Sequence, residues 1–154
     1  MNRNDLLKDM DNKKGLFGLF FAFSNRLQTA GDAFYDEITC KQFFLLICLS
    51  LFQDEAPTIN ELSEVMGSSH QNVKQLVNKL EKLGLVMTYS DEKDKRKLRV
   101  APREKLAQLS KKYEEKGIKF MDMLYHGISP EEIEITFKTM LKIENNIISM
   151  EGEK

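Results

Sequence analysis

Residues 58–82 read TINELSEVMGSSHQNVKQLVNKLEK, and this stretch decides the fold. Thr58 and Glu61 stand at the spacing of a capping box, in which the hydroxyl accepts from a helix-start N–H and the carboxylate reaches back to the cap residue. Ile59, Leu62, Val65 and Met66 follow at helical steps and form one apolar face over about two turns. Gly67 supplies a helix stop. Ser68 with Gln71 then offers a second capping box, so another helix starts at once. That helix turns Val73, Leu76, Val77, Leu80 and Leu83 inward. The spacing predicts two short helices joined by a tight turn.

The opposite face of the second helix holds Gln71, Lys74, Gln75, Asn78 and Lys82, which are amides and amines with no carboxylate among them. Such groups donate to phosphates and base edges, and Gln or Asn can pair bidentately with adenine. Any surface helix has a polar face, so this face alone leaves a plain solvated helix open. The residues that follow narrow the choice. Leu85 to Tyr89 is strand-like, Ser90 to Lys95 is a polar turn, and Lys97 to Val100 alternates with period two. The turn and the return carry Lys93, Lys95, Arg96, Lys97 and Arg99. Two helices followed by a basic hairpin form the winged helix–turn–helix pattern, with the second helix suited to the major groove and the wing to the phosphates or the minor groove. The candidate DNA contacts are Ser68, Ser69, His70, Gln71, Lys74, Gln75 and Asn78 on the helix, with Lys95, Arg96 and Lys97 on the wing. Asp94 is expected to hold the wing's shape by pairing with a basic residue.

Charge placement supports this reading although the net charge is only −1. Residues 68–103 hold 9 Lys/Arg against 4 Asp/Glu, while the flanks on both sides are acidic. The positive charge is concentrated where a phosphate footprint would lie. At 154 residues and 42% hydrophobic, the chain is one domain's worth with a real core. No apolar run approaches the length of a membrane span. The polar first ten residues lack the apolar stretch of a secretory signal. A cytoplasmic protein with no membrane partner is expected, and two cysteines without framework spacing agree with a reducing compartment.

On either side of the core the pattern is helical. Residues 1–14 are polar, and the first few are expected to fray. From Leu16 to about Asp36, Phe17, Phe20, Phe23, Leu27, Ala30 and Phe34 recur at three- and four-residue steps, with Phe21 and Tyr35 off the stripe. A helix apolar on more than one face wants burial on more than one side. These aromatics are core candidates, and Phe17, Phe20 and Phe44 are also candidates for lining a pocket for a small apolar or phenolic effector. Thr39 with Gln42 opens the next helix, whose run from Phe43 to Phe52 is apolar nearly all round and is expected to be the most buried. Beyond the wing, Glu104 to Tyr125 reads as a long helix. Ser129, Pro130 and Glu132 then start a last amphipathic helix that runs to the chain end.

Four motifs in order carry a family resemblance: Thr39-Cys40-Lys41-Gln42-Phe43, then Leu62 through Gly67, then Leu80-Glu81-Lys82-Leu83-Gly84-Leu85-Val86, then Asp94-Lys95-Arg96. Over roughly residues 16–148 the chain resembles the MarR family of transcriptional regulators. It departs after the wing, where Ala101-Pro102-Arg103-Glu104-Lys105 replaces the family's usual Leu-Thr-x-x-Gly. The resemblance implies a mainly α fold with a small β-wing, organised as an N-terminal dimerisation helix (1–37), a winged helix–turn–helix core (38–102) and C-terminal dimerisation helices (103–154), one intertwined domain per chain. It implies a homodimer, more often a repressor, on double-stranded DNA, its recognition helices entering successive major grooves of a pseudo-palindrome about 10 base pairs apart.

Two alternatives remain. Cys40 sits just inside a helix start and beside Lys41, where the dipole and the ammonium both favour a thiolate, so a thiol-based redox sensor is one. Cys48 lies about 12 Å further along the same helix and cannot bridge to it. The other is a winged-helix protein-interaction module without DNA binding, which would show an apolar or acidic recognition face. His70 and His126 are far apart with no Cys/His cluster, so no metal and no cofactor are expected. No phosphate-binding glycine loop or nucleophile–base motif is present, which argues against an enzyme.

Overall fold

Three of the four capping pairs named above open a helix. The computed structural model describes residue 5 and residues 7–152, so the expectation for the first few residues falls outside what is described. Helix α1 spans Asn12–Phe34, α2 Cys40–Ser50, α3 Ile59–Met66 and α4 His70–Lys82. Strands β1 (Val86–Ser90) and β2 (Leu98–Pro102) follow, then α5 (Glu104–Leu124) and α6 (Pro130–Gly152). Both arms of the box are present at Thr39–Gln42, Thr58–Glu61 and Ser129–Glu132. Helix α1 begins four residues before its apolar periodicity because Asp11 accepts from the Lys14 N–H, and a polar first turn carries no hydrophobic signal.

The second capping box differs from expectation. Ser69, not Ser68, is the N-cap of α4, accepting from Asn72 N at 3.3 Å. Ser68 is already committed to the preceding helix. Its N–H reaches Ser63 O at 3.0 Å while Gly67 N–H reaches Glu64 O at 3.1 Å, the bond pair of a Schellman motif. Gly67 closes it at φ 59°, a conformation that costs a side-chain-bearing residue energy.

The strands pair antiparallel, with Val86 opposite Pro102 and Ser90 opposite Leu98. Val100 N–H donates to Pro57 O at 2.8 Å and Thr58 bridges Arg99, so the segment before α3 extends the small sheet. Leu45, Leu62, Val73, Val77, Leu80, Val86 and Val100 are fully buried between these elements. Each such side chain contributes about 1.5–3 kcal/mol on burial. Helix α2 buries Leu45, Cys48 and Leu49, yet Phe44, Ile47 and Leu51 stay 40–65% exposed. The expectation of burial all round is therefore corrected: α2 is central on one side and open on the other.

The chain forms two compact units, one ending at Tyr113 and one beginning at Glu114. The division between the units falls inside α5, and Leu109 and Tyr113 belong to the first unit's core. Tyr113 also stands edge-on to Tyr35 at 5.2 Å, and its hydroxyl accepts from Glu37 N–H at 3.0 Å. Each unit leaves apolar surface uncovered: Phe17, Phe21 and Phe23 in α1, and Ile135, Phe137, Ile147, Ile148 and Met150 in α6, which has no buried residue.

Helix α1 seats on the core through Gly31, where an added Cβ would stand 2.5 Å from Cys40 Sγ and 2.7 Å from Cys40 Cβ. Gly31→Ala is expected to destabilise the fold by about 1–3 kcal/mol despite the better helix propensity of Ala. Cys40→Gly in the same chain should recover most of that loss. Denaturant unfolding of the single and double variants checks it.

Candidate nucleic-acid interface

Helix α4 is held by Val73, Val77 and Leu80, none of which retains any exposure. With those three inward, the 100° step puts Gln71, Lys74, Gln75 and Asn78 outward, and all four are exposed, as are Ser69 and His70. Ser68 is half-buried at the turn. The acidic residue of α4, Glu81, is turned to the wing: its Oε1 accepts from Thr88 N at 2.8 Å and Thr88 Oγ1 at 3.0 Å. The outward face is therefore free of carboxylate.

The wing is built on Asp91, which is almost fully buried. Its Oδ1 accepts from Lys93 N at 2.9 Å and Asp94 N at 2.8 Å, and its Oδ2 meets Arg99 Nε at 2.5 Å. These bonds hold its carboxyl at about 2, well below the usual range, with the Asp94 N–H and the Arg99 guanidinium the leading causes. Arg99 also donates to Ala56 O at 2.5 Å and pairs with Glu55 at 3.0 Å. It faces the protein, not solvent, so the basic wing loses one of its five cations as a DNA contact. The sequence reading missed Asp91. Its signal was the Asp-x-Lys turn at 91–93, a spacing at which an Asp side chain bonds the backbone two residues on.

Asp94 does what was expected of it. It takes Arg96 Nε at 3.0 Å and Nη2 at 3.2 Å, a bidentate pair, and leaves the Arg96 side chain 91% exposed. Lys95 and Lys97 are exposed beside it. Where the wing meets the start of α4, His70, Lys74, Arg96 and Lys97 line one cleft of about 100 Å³.

The expected effector pocket is only partly assembled. Phe44 lines a cavity of about 510 Å³ with Leu27, Met66, Leu76 and Gln75. Phe17 and Phe20 do not line it; Phe17 stands edge-on to Phe21 at 5.3 Å on the uncovered side of α1. Cys40 borders the same cavity, and its thiol is pushed up, first by burial and then by Asp32. The Asp32 carboxylate accepts the Cys40 N–H at 2.7 Å and so places a negative charge where the helix start alone would favour a thiolate. The electrostatic ground for a redox role is thereby corrected. Among the described residues no group of three or more His, Cys, Asp or Glu could hold a metal, and no helix is long and apolar enough to cross a membrane.

A helix whose outward face carries no carboxylate, a Schellman turn before it and a wing pinned beside it define a winged helix–turn–helix protein. The model of the MarR family matches residues 39–97, from the cap of α2 to the return of the wing. Over those residues the chain is similar to that family of transcriptional regulators. A MarR protein from Peptoclostridium difficile is 20% identical, with 90% of each chain covered and a TM-score of 0.75. MepR of S. aureus, solved in complex with DNA, is 22% identical over 83% of this chain and 95% of its own, at a TM-score of 0.72. BpsR of Bordetella bronchiseptica, whose DNA binding is regulated by 6-hydroxynicotinic acid, is 16% identical over 84% and 98%, also at 0.72. At these identities the structural likeness speaks for the fold.

The Asp91–Arg99 contact sets an acid limit. A carboxyl held at about 2 in the folded chain and at the ordinary 3.8 when unfolded binds fewer protons folded than unfolded. Its stabilisation is present above pH 3.8 and is lost as pH falls toward about 2. Asp91→Asn should flatten that part of the stability–pH curve, read by thermal melts between pH 2 and 6.

Proposed function

We propose that the protein is a sequence-specific repressor that binds a pseudo-palindromic operator as a homodimer and is released by a small ligand. The observation that carries this is the outward face of α4, which offers only amide, hydroxyl, imidazole and ammonium groups and stands beside a wing presenting Lys95, Arg96 and Lys97. Ser69, Gln71, Gln75 and Asn78 have the donors and acceptors to read base edges, while Lys74 and the wing cations neutralise phosphates. The protein-interaction alternative asks for an apolar or acidic face here, and these residues supply neither.

The uncovered apolar residues of α1 and α6 support self-association, since a monomer rarely leaves this many large apolar side chains in water. DNA binding by MepR and ligand control of BpsR agree with both halves of the proposal. The cavity bordered by Phe44 and Gln75 suits a small effector, because one of its walls is the recognition helix itself. Redox control through Cys40 has no electrostatic support.

Selection of bound duplexes from a random library should return an inverted repeat with half-sites about one helical turn apart. Gln75→Ala should then relax preference at one base position by about 1–3 kcal/mol. Arg96→Ala should weaken binding to all sequences alike and lower the salt slope by about 1. Recovery of no enriched sequence, with both variants indistinguishable from the parent, would overturn the proposal.

A further inference from the structure

The cleft between the recognition helix and the wing joins three elements distant in sequence. Asn60 comes from the first turn of α3, His70 and Lys74 from the first two turns of α4, and Arg96 and Lys97 from the returning arm of the wing. Its volume is about 100 Å³. That is room enough for a group the size of a phosphate.

The charges fit a single oxyanion. Lys74, Arg96 and Lys97 are cations, and the adjacent carboxylates are both engaged. Asp94 is bidentate on Arg96, and Glu61 accepts from Thr58 N at 2.7 Å and Thr58 Oγ1 at 2.8 Å. Three cations against two carboxylates leave one positive charge, matched by one phosphodiester. Glu61 and Asp94 are spent on internal hydrogen bonds, so the cleft is lined by the amide, imidazole, ammonium and guanidinium groups of Asn60, His70, Lys74, Lys97 and Arg96 beside Thr58, Ile59 and Leu98, with no carboxylate among them.

We propose that this cleft is a seat for one phosphate oxyanion, held jointly by the recognition helix and the wing, with a phosphate of the DNA backbone as its occupant. This deepens the DNA-binding reading and rests on it for the occupant. Two elements that read different grooves then share one phosphate, so wing and recognition helix engage together, not as independent contacts. A free phosphate shares this chemistry, and the test separates the two sources.

The full-length chain and its Lys74→Gln, Lys97→Gln and double variants are measured in two ways. The first is the dependence of DNA affinity on salt, where each neutralised phosphate contributes about 0.9 to the logarithmic slope. If both lysines serve one phosphate, the double variant should lose about 0.9, little more than either single variant, and the two affinity losses should not add. Two separate contacts would instead lose about 1.8, with additive losses. The second is titration with inorganic phosphate at constant ionic strength, followed by the NMR signals of the His70 ring. Saturable shifts that vanish in the double variant place free phosphate in the seat. A single shared slope without such shifts assigns the seat to the backbone alone. Additive slopes together with no saturable shift overturn the proposal. If the parent binds no duplex, the DNA-binding reading fails, and the phosphate titration still decides the seat.

Discussion

Arg99 ties the turn of the wing to the segment that precedes α3. Its guanidinium meets the Asp91 carboxylate at the turn of the wing, the Ala56 carbonyl before α3, and Glu55 beyond it. The side chain is 14% exposed and that of Asp91 8%, so water competes weakly for either. A charge placed so far from water must stay paired, and removing one partner leaves the other stranded. This contact, the Val100–Pro57 backbone bond next to it and the bonds from Thr88 to Glu81 together fix the wing's position relative to the helix–turn–helix. Everything that the wing can present to DNA depends on it too.

The same economy explains which charges face outward. Of the acidic residues nearest the interface, Glu61 closes the start of α3, Glu81 fastens β1 to α4, Asp91 holds Arg99 and Asp94 holds Arg96. Each carboxylate is consumed in fixing a backbone or a cation. Apart from Glu92 on the turn of the wing, what remains exposed there and on the outward face of α4 is positive or neutral, which is how a chain with net charge −1 can present a basic surface.

The core of the fold was legible in the sequence because its signals are local. Capping boxes at Thr39, Thr58 and Ser129, the glycine stop at 67 and period-two alternation in the wing each involve residues within a few positions of one another. Where a local signal was shared between two elements, the reading slipped by one residue, as at Ser68 and Ser69. Arg99 was read only as one of the wing's basic residues, because its partners at 55 and 56 lie far back in the chain, beyond the reach of any periodicity. Cys40 was misread for a similar reason. Its helix start and Lys41 are neighbours in sequence, whereas the burial of its thiol, and after it the charge of Asp32 from the end of the previous helix, push the thiol up.

The aromatic side chains show the limit from the other direction. Hydrophobic periodicity says that a face will be covered, not what covers it. Phe34, Tyr35 and Phe43 found partners inside their own unit, with Tyr35 stacked on Phe43 at 4.8 Å. Phe17, Phe21 and Phe23, on the same helix as Phe34 and as apolar, stay exposed. The seat at Gly31 accounts for the division: α1 approaches α2 closely there, where only a glycine fits against Cys40, and no residue N-terminal to it in that helix is buried. The C-terminal part of α1 belongs to the DNA-binding core, and its N-terminal part is free to meet another surface. A ligand entering beside Leu27, Phe44 and Gln75 would press on the junction between those two parts and on the recognition helix at once.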